Sequence, residues 1–122
     1  MSGLEVFVDT NLLIRFLAGD ESVHSLILEN EIFLSFISEL ELFAKPGLSR
    51  EDELSIENLL RGCHVVHYSD EMKETIIRIR RTARLKLPDS IIAASAIFHN
   101  LTMLTADAAF RRVSGLSLVM VG

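Results

Sequence analysis

Five short apolar runs constrain the fold more than any other feature of this chain. They are "EVFVD" (5–9), "IFLSF" (32–36), "HVVHY" (64–68), "LTMLT" (101–105) and "LSLVMV" (116–121). Each has strand length, and the segments between them carry helical spacing. Apolar strands alternating with helices predict a mostly parallel central sheet flanked by helices on both faces, a three-layer α/β architecture. At 122 residues the chain is expected to form one domain over 1–122 and to bury a real core.

The helical segments can be placed from their punctuation. In "TNLLIRFLAG" the residues Leu12, Leu13, Phe16 and Leu17 make one apolar face, and Gly19 stops the helix. Further helices are expected over 22–30, over 38–45 before Pro46-Gly47, and over 49–62, where Ser49 and Asp52 fit a capping box. A long amphipathic helix is expected over 69–86, with Met72, Ile76, Ile77, Ile79 and Ala83 inward. The 88–99 segment opens on Pro88, which suits a first helical turn, and is apolar around most of its circumference, the mark of an interior helix. A short helix over 107–113 completes the set.

Composition removes several classes of function. With 49% hydrophobic residues and a mean hydropathy of +0.35, the chain is too apolar to be disordered. No apolar run reaches about 18 residues and the first residues lack a leader pattern, so a cytoplasmic protein with no membrane partner is expected. The single Cys63 excludes a disulfide framework and a cysteine-built zinc cage. It reads as a core or near-surface thiol. The four histidines, His24, His64, His67 and His99, lack metal-ligand spacing and read as structural or exposed.

The net charge of −5 argues against a simple nucleic-acid coat, which needs a basic field to displace counterions. The charge is unevenly spread. Residues 1–61 hold twelve acids and four bases, whereas 62–122 hold five acids and eight bases. Five bases crowd into 78–86: Arg78, Arg80, Arg81, Arg84 and Lys86. On one helix they wrap around the axis, which suits a solvated surface as well as a phosphate-contacting segment.

In open α/β sheets the working crevice lies beyond the carboxyl ends of the strands. Asp9 ends the first run, Asp107 follows "LTMLT" by two residues, and Asp89 opens the interior helix. Glu39 and Glu41 lie just past "IFLSF", roughly 200° apart on a helix, so only one can face a given point. Each acid also has a modest explanation. Asp89 complements a helix dipole, Asp9 accepts from turn amides, Asp107 caps its short helix, and Ser38-x-x-Glu41 fits a capping box. Common placement favours one site. Clustered carboxylates raise one another's pKa and destabilise the fold unless a cation joins them. Hard oxygen donors without cysteine favour Mg²⁺ or Mn²⁺.

"VFVDTNLLIRFL", "SFISELELFAKPGLS", "LKLPDSIIAASAI" and "LTMLTADAAF", in this order, resemble the PIN-domain ribonucleases, and among them VapC-type toxins of toxin–antitoxin pairs. The resemblance spans essentially the whole chain. It implies a PIN-like fold and a metal-dependent endoribonuclease with one or two Mg²⁺ or Mn²⁺ ions. By motif position it places the acidic set on Asp9, Glu41, Asp89 and Asp107, choosing Glu41 because Leu42 follows it in the "EL" pattern. Asp9 and Asp89 are the strongest expected ligands, then Glu41, with Asp107 acting less directly. Asn11, Ser38 and Thr105 match supporting polar positions. One position departs: many relatives carry a further acid just before the phenylalanine, where this chain has Ala109.

The resemblance also implies an RNA substrate, a cognate antitoxin whose tail covers an apolar groove, and a homodimer. Apolar surface for a partner is expected from Leu26, Ile27, Ile56, Leu59 and Leu60. The basic segment leads directly into Pro88-Asp89, so Arg80, Arg81, Arg84 and Lys86 are candidate phosphate contacts. Two alternatives share the fold class: a phospho-receiver-like domain and a PIN-like interaction module that has lost catalysis. The receiver reading needs adjacent acids at the first strand end and a late lysine. Phe7 and Val8 precede Asp9, and 100–122 contains no lysine.

Overall fold

The computed structural model describes residues 3–122. The elements are β1 (Glu5–Val8), α1 (Thr10–Leu17), α2 (Glu21–Leu28), β2 (Glu31–Ser35), α3 (Phe36–Ala44), α4 (Arg50–Arg61), β3 (His64–Val66), α5 (Lys73–Thr82), α6 (Leu87–Phe98), β4 (Thr102–Thr105) and β5 (Leu118–Met120). Short 3₁₀ turns occupy Asp70–Met72 and Ala108–Arg112. The strands form one sheet in the order β3-β2-β1-β4-β5. Every pairing is parallel, so the mostly parallel sheet read from the sequence is parallel throughout.

Strand periodicity divides the core. Phe7 pairs with both Phe33 and Met103 in register, and Phe7 and Met103 point to the face covered by α5 and α6, against Ile79, Ile92 and Ala93. Val6, Val8 and Leu104 point the other way, against Leu12, Leu13, Ile27 and Ile56. Both faces are covered, which is why the strands read as apolar runs rather than alternating ones. Small residues bring α6 in close: Ser90, Ala93, Ala94, Ser95 and Ala96 are fully buried. The Ser90 and Ser95 hydroxyls are satisfied by the carbonyls of Lys86 (3.0 Å) and Ile91 (2.8 Å).

Several expectations are corrected. The 69–86 segment is not one helix but a 3₁₀ turn, α5, and a bent connector in which Arg84 adopts φ +58°. The reason is Leu85. It is as buried as Ala83, yet residues two apart lie on opposite sides of a helix, so burying both requires leaving the helix. The second strand ends at Ser35 rather than 36, because the Ser35 hydroxyl accepts from the Ile37 N–H at 3.0 Å and starts α3 there. Ser38 therefore lies inside α3, and its capping-box reading with Glu41 falls. Ser49 and Asp52 do form the expected reciprocal box. Ile27 and Ile56, read as partner surface, are core residues at 5% and 4% exposure, whereas Leu28 and Leu54 are the exposed apolar residues of α2 and α4.

β2 and β4 flank β1 on opposite sides, so the two halves of the sheet diverge at the β1–β4 pair. That divergence opens a crevice at the strands' carboxyl ends. Asp9 and Asp107 follow the two strands concerned.

Candidate metal centre

Asp9 is a carboxylate where the sequence places a core. It directly follows β1 and is only 3% exposed. Its side chain caps α1, with Oδ1 accepting from the Leu12 N–H at 3.1 Å. Oδ2 accepts from the hydroxyl of Thr105. Thr105 ends β4 fully buried, and its Oγ1 also accepts the Asp107 N–H at 3.0 Å. Asp107 then turns the chain by accepting from the Ala109 N–H at 2.9 Å. One threonine thus ties the ends of β1 and β4 together.

The opposite side of the crevice is helical. Glu41 projects from α3 and accepts from the Thr10 hydroxyl at 2.7 Å. The Thr10 oxygen also lies 2.7 Å from the buried Ser38 hydroxyl. Thr10 has one proton and gives it to Glu41, so Ser38 donates to Thr10. Asp89 sits in the first turn of α6, beside Lys86 at its N-cap. The crevice, about 350 Å³, is lined by Asp9, Thr10, Asn11, Ile14, Glu41, Lys86, Asp89, Ile92, Asp107 and Phe110.

All four predicted acids therefore border one cleft. Glu41 lines it, Glu39 does not, and Asn11 stands at its exposed edge. Ser38 and Thr105 are buried behind it and hydrogen-bond to its walls. Of the predicted phosphate contacts only Lys86 borders the cleft, while Arg80, Arg81 and Arg84 are exposed elsewhere. Thr10 is the cleft position the sequence reading passed over. Its signal was its place between Asp9 and Asn11 in "DTN", at the first position of α1.

The electrostatics follow from this crowding. Burial pushes the Asp9 carboxyl above its ordinary pKa of 3.8, against the lowering effect of the Thr105 and Leu12 hydrogen bonds, and the charges of Asp107 and Asp89 add to the rise. Asp89 is raised by burial first, then by Glu41 and Asp107, with Lys86 opposing. These carboxylates destabilise the fold when all are charged and nothing cationic joins them. An oxygen-only donor set of this charge fits a hard divalent cation in kind. Among the described residues, no three His, Cys, Asp or Glu side chains stand close enough to hold one ion as placed. A bound cation would therefore draw these side chains together.

The PIN domain family model matches residues 6–116. The chain belongs to the PIN-domain family. A chain of a toxin–antitoxin complex from Klebsiella pneumoniae is 26% identical to this PIN domain, over 96% of this chain and 98% of that one, with a TM-score of 0.83. VapBC2 from Rickettsia felis, bound to a DNA fragment from its promoter, matches at 19% identity, 98% and 100% coverage and a TM-score of 0.81. DNA-bound VapBC from Salmonella typhimurium matches at 21% identity over 100% of both chains, with a TM-score of 0.79. No curated protein sequence matched. The PIN-domain resemblance read from the motifs and the family match agree, and the structural matches share the fold. Family membership also displaces the phospho-receiver alternative. Among the described residues no helix of this PIN domain is long and apolar enough to cross a membrane.

Proposed function

We propose that this PIN domain is a Mg²⁺- or Mn²⁺-dependent endoribonuclease and the cytoplasmic toxin of a toxin–antitoxin pair. The observation that carries the reading is the meeting of Asp9, Glu41, Asp89 and Asp107, from four separate stretches of chain, on one cleft at the sheet's divergence point. Asp9, Asp89 and Glu41 would hold the ion or ions, and Asp107 would complete the charge. A bound divalent ion lowers the pKa of water and stabilises negative charge on a phosphodiester in displacement. The chain's own groups orient this set. Thr105 fixes Asp9 and Asp107 against each other, and Ser38 and Thr10 aim Glu41. Ile14, Ile92 and Phe110 give the cleft an apolar lining.

The antitoxin belongs to the same proposal. A groove of about 290 Å³, lined at its surface by Ile14, Leu17, Pro46 and Leu48, joins the acidic cleft through Ile14 and Glu41. An apolar helix or strand laid there could reach the carboxylates with one basic side chain. For the expected homodimer, the exposed Leu40 and Phe43 of α3 supply apolar surface.

The test is cleavage of single-stranded RNA by the purified chain. Cleavage is expected with Mg²⁺ or Mn²⁺, none in EDTA, and a loss of at least about 10²-fold for Asp9→Asn. Intact RNA under both cations, with either cation still raising the melting temperature, would identify a binding module that has lost catalysis.

A further inference from the structure

A cleft lined by four carboxylates repels the backbone of any nucleic acid that approaches it, and a cation held among them answers only part of that field. Some group at the rim must meet the incoming phosphate. Resting on the ribonuclease reading above, we propose that Lys86 is that group: its ammonium anchors a phosphodiester of the RNA at the mouth of the acidic cleft, and it positions substrate without holding metal.

Three observations converge on Lys86. Among the described residues it is the only base lining the cleft. Lys86 is exposed and, among the described residues, forms no ion pair, although Asp9, Glu41, Asp89 and Asp107 line the same cleft. An unpaired cation beside several carboxylates keeps its donors available for a ligand. Its backbone, by contrast, is fixed. The Lys86 carbonyl accepts from the Ser90 N–H at 2.9 Å and from the Ser90 hydroxyl at 3.0 Å, and its neighbour Leu85 is buried. A flexible four-carbon stem on a fixed Cα is how a lysine tracks a phosphate as a point charge.

The remaining bases of the segment stand apart. Arg80 and Arg81 belong to the last turn of α5. Arg84 lies beyond it at the chain reversal, and Leu85 turns inward between Arg84 and Lys86, so these two bases sit on either side of a buried anchor. The basic cluster thus divides into one cleft cation and a set of arginines outside the cleft.

The experiment measures binding of a fluorescein-labelled single-stranded RNA oligonucleotide to the full chain over a NaCl series. The Asp9→Asn background prevents cleavage, and the added substitutions are Lys86→Gln, Lys86→Arg, Arg81→Gln and Arg84→Gln. Lys86→Gln should weaken binding about fivefold and reduce the log–log salt slope by about 0.7. Lys86→Arg should restore both, and the two arginine variants should match the background. In the cleaving parent, Lys86→Gln should raise KM by a similar factor and leave kcat within about twofold, a split that a folding defect would not produce. A parent chain that neither binds nor cuts RNA overturns the ribonuclease reading and this inference with it. A parent that does both while Lys86→Gln keeps the full salt slope, or while Arg84→Gln loses it, overturns the inference alone.

Discussion

The two walls of the acidic cleft are built by different rules. On the strand wall both oxygens of Asp9 are engaged, by the Leu12 amide and the Thr105 hydroxyl, and Asp107 is held by the Ala109 amide. On the helix wall Glu41 has the Thr10 hydroxyl, and among the described residues the Asp89 carboxylate, in the first turn of α6, accepts no hydrogen bond. Strand ends are fixed by the sheet, so side chains leaving them can be locked by neighbours one strand away. Helix side chains reach the cleft from elements that pack over the sheet, with fewer hydrogen bonds to hold them. The comparison teaches that preorganisation is uneven across the cleft: the strand wall is fixed by hydrogen bonds that the helix wall lacks, and among the described residues no three of these side chains stand in reach of one ion.

The largest effect expected from this difference is on Thr105. Thr105→Val keeps the shape but leaves a buried carboxylate oxygen and the Asp107 N–H without their partner, at a cost of about 1–3 kcal/mol in stability. RNA cleavage should fall by about 10- to 100-fold, the usual consequence of losing a group that orients a ligand. The matching change on the helix wall, Thr10→Val, strands the buried Ser38 hydroxyl and so costs stability too, but it should cost less in cleavage, because Glu41 is exposed and water can replace the hydroxyl it loses. Chemical denaturation and initial cleavage rates of the two variants measure the contrast. Equal losses would show that the walls are equally preorganised.

Most of the sheet was legible in the sequence because an all-parallel sheet buries both faces, and five apolar runs with turn signals between them admit few other folds. Of the acids, Asp9 was conspicuous as a charge at the end of an apolar run, Asp89 and Asp107 by their places at a helix start and just past a strand, and Glu41 was separated from Glu39 only by the family resemblance. What escaped the sequence depended on contacts between distant segments. Nothing local says that Ser35 rather than Ser38 starts α3, since both are serines able to cap a helix and Ser38 has Glu41 three residues on, as a capping box needs. The break after α5 was hidden because Met72, Ile76, Ile79 and Ala83 keep helical spacing throughout, and only the burial of Leu85 betrays it; Ile77, read as inward with them, is exposed. The exposure of Leu28 and burial of Ile27 likewise follow from how α2 lies on β2, which periodicity over eight residues does not determine.

A second prediction uses acid to compare the walls. The Asp9 and Asp89 carboxyls are raised above 3.8 in the folded chain, so folding takes up protons between 3.8 and those raised values. Their contribution to stability is complete below the unfolded pKa and is lost as pH rises through the folded one. Asp20 behaves oppositely: hydrogen bonds from Ser22 and Arg15 hold it at about 2, so its contribution is present above 3.8 and lost only as pH falls towards 2. In EDTA, lowering the pH from neutrality towards the ordinary aspartate value of 3.8 should therefore relieve the cleft without disturbing Asp20. Asp89→Asn should raise the metal-free melting temperature at pH 7 by about 2–4 °C and flatten this pH response. With Mn²⁺ present the acid-side gain should shrink, because protons and the cation compete for the same oxygens. A melting temperature of Asp89→Asn at or below the parent's in EDTA would show that repulsion in the cleft does not limit the fold.

The smallest effect concerns the connector that presents the helix wall. Arg84 holds φ +58°, a conformation that costs a residue with a Cβ roughly 1–2 kcal/mol. Glycine adopts it freely but has more backbone freedom to lose from the unfolded chain, so Arg84→Gly should gain a net of about 0.5–1 kcal/mol. The bend itself is fixed by Leu85 in the core and by Ser90 on the Lys86 carbonyl, not by the arginine side chain. Asp89 and Lys86 should therefore keep their places, and RNA affinity and its salt slope should equal the parent's. Denaturant midpoints and the RNA titration measure the two quantities separately. A loss of stability would mean that the Arg84 side chain, rather than Leu85 and Ser90, sets the reversal, and the helix wall would then be more tightly built than its sparse hydrogen bonds imply.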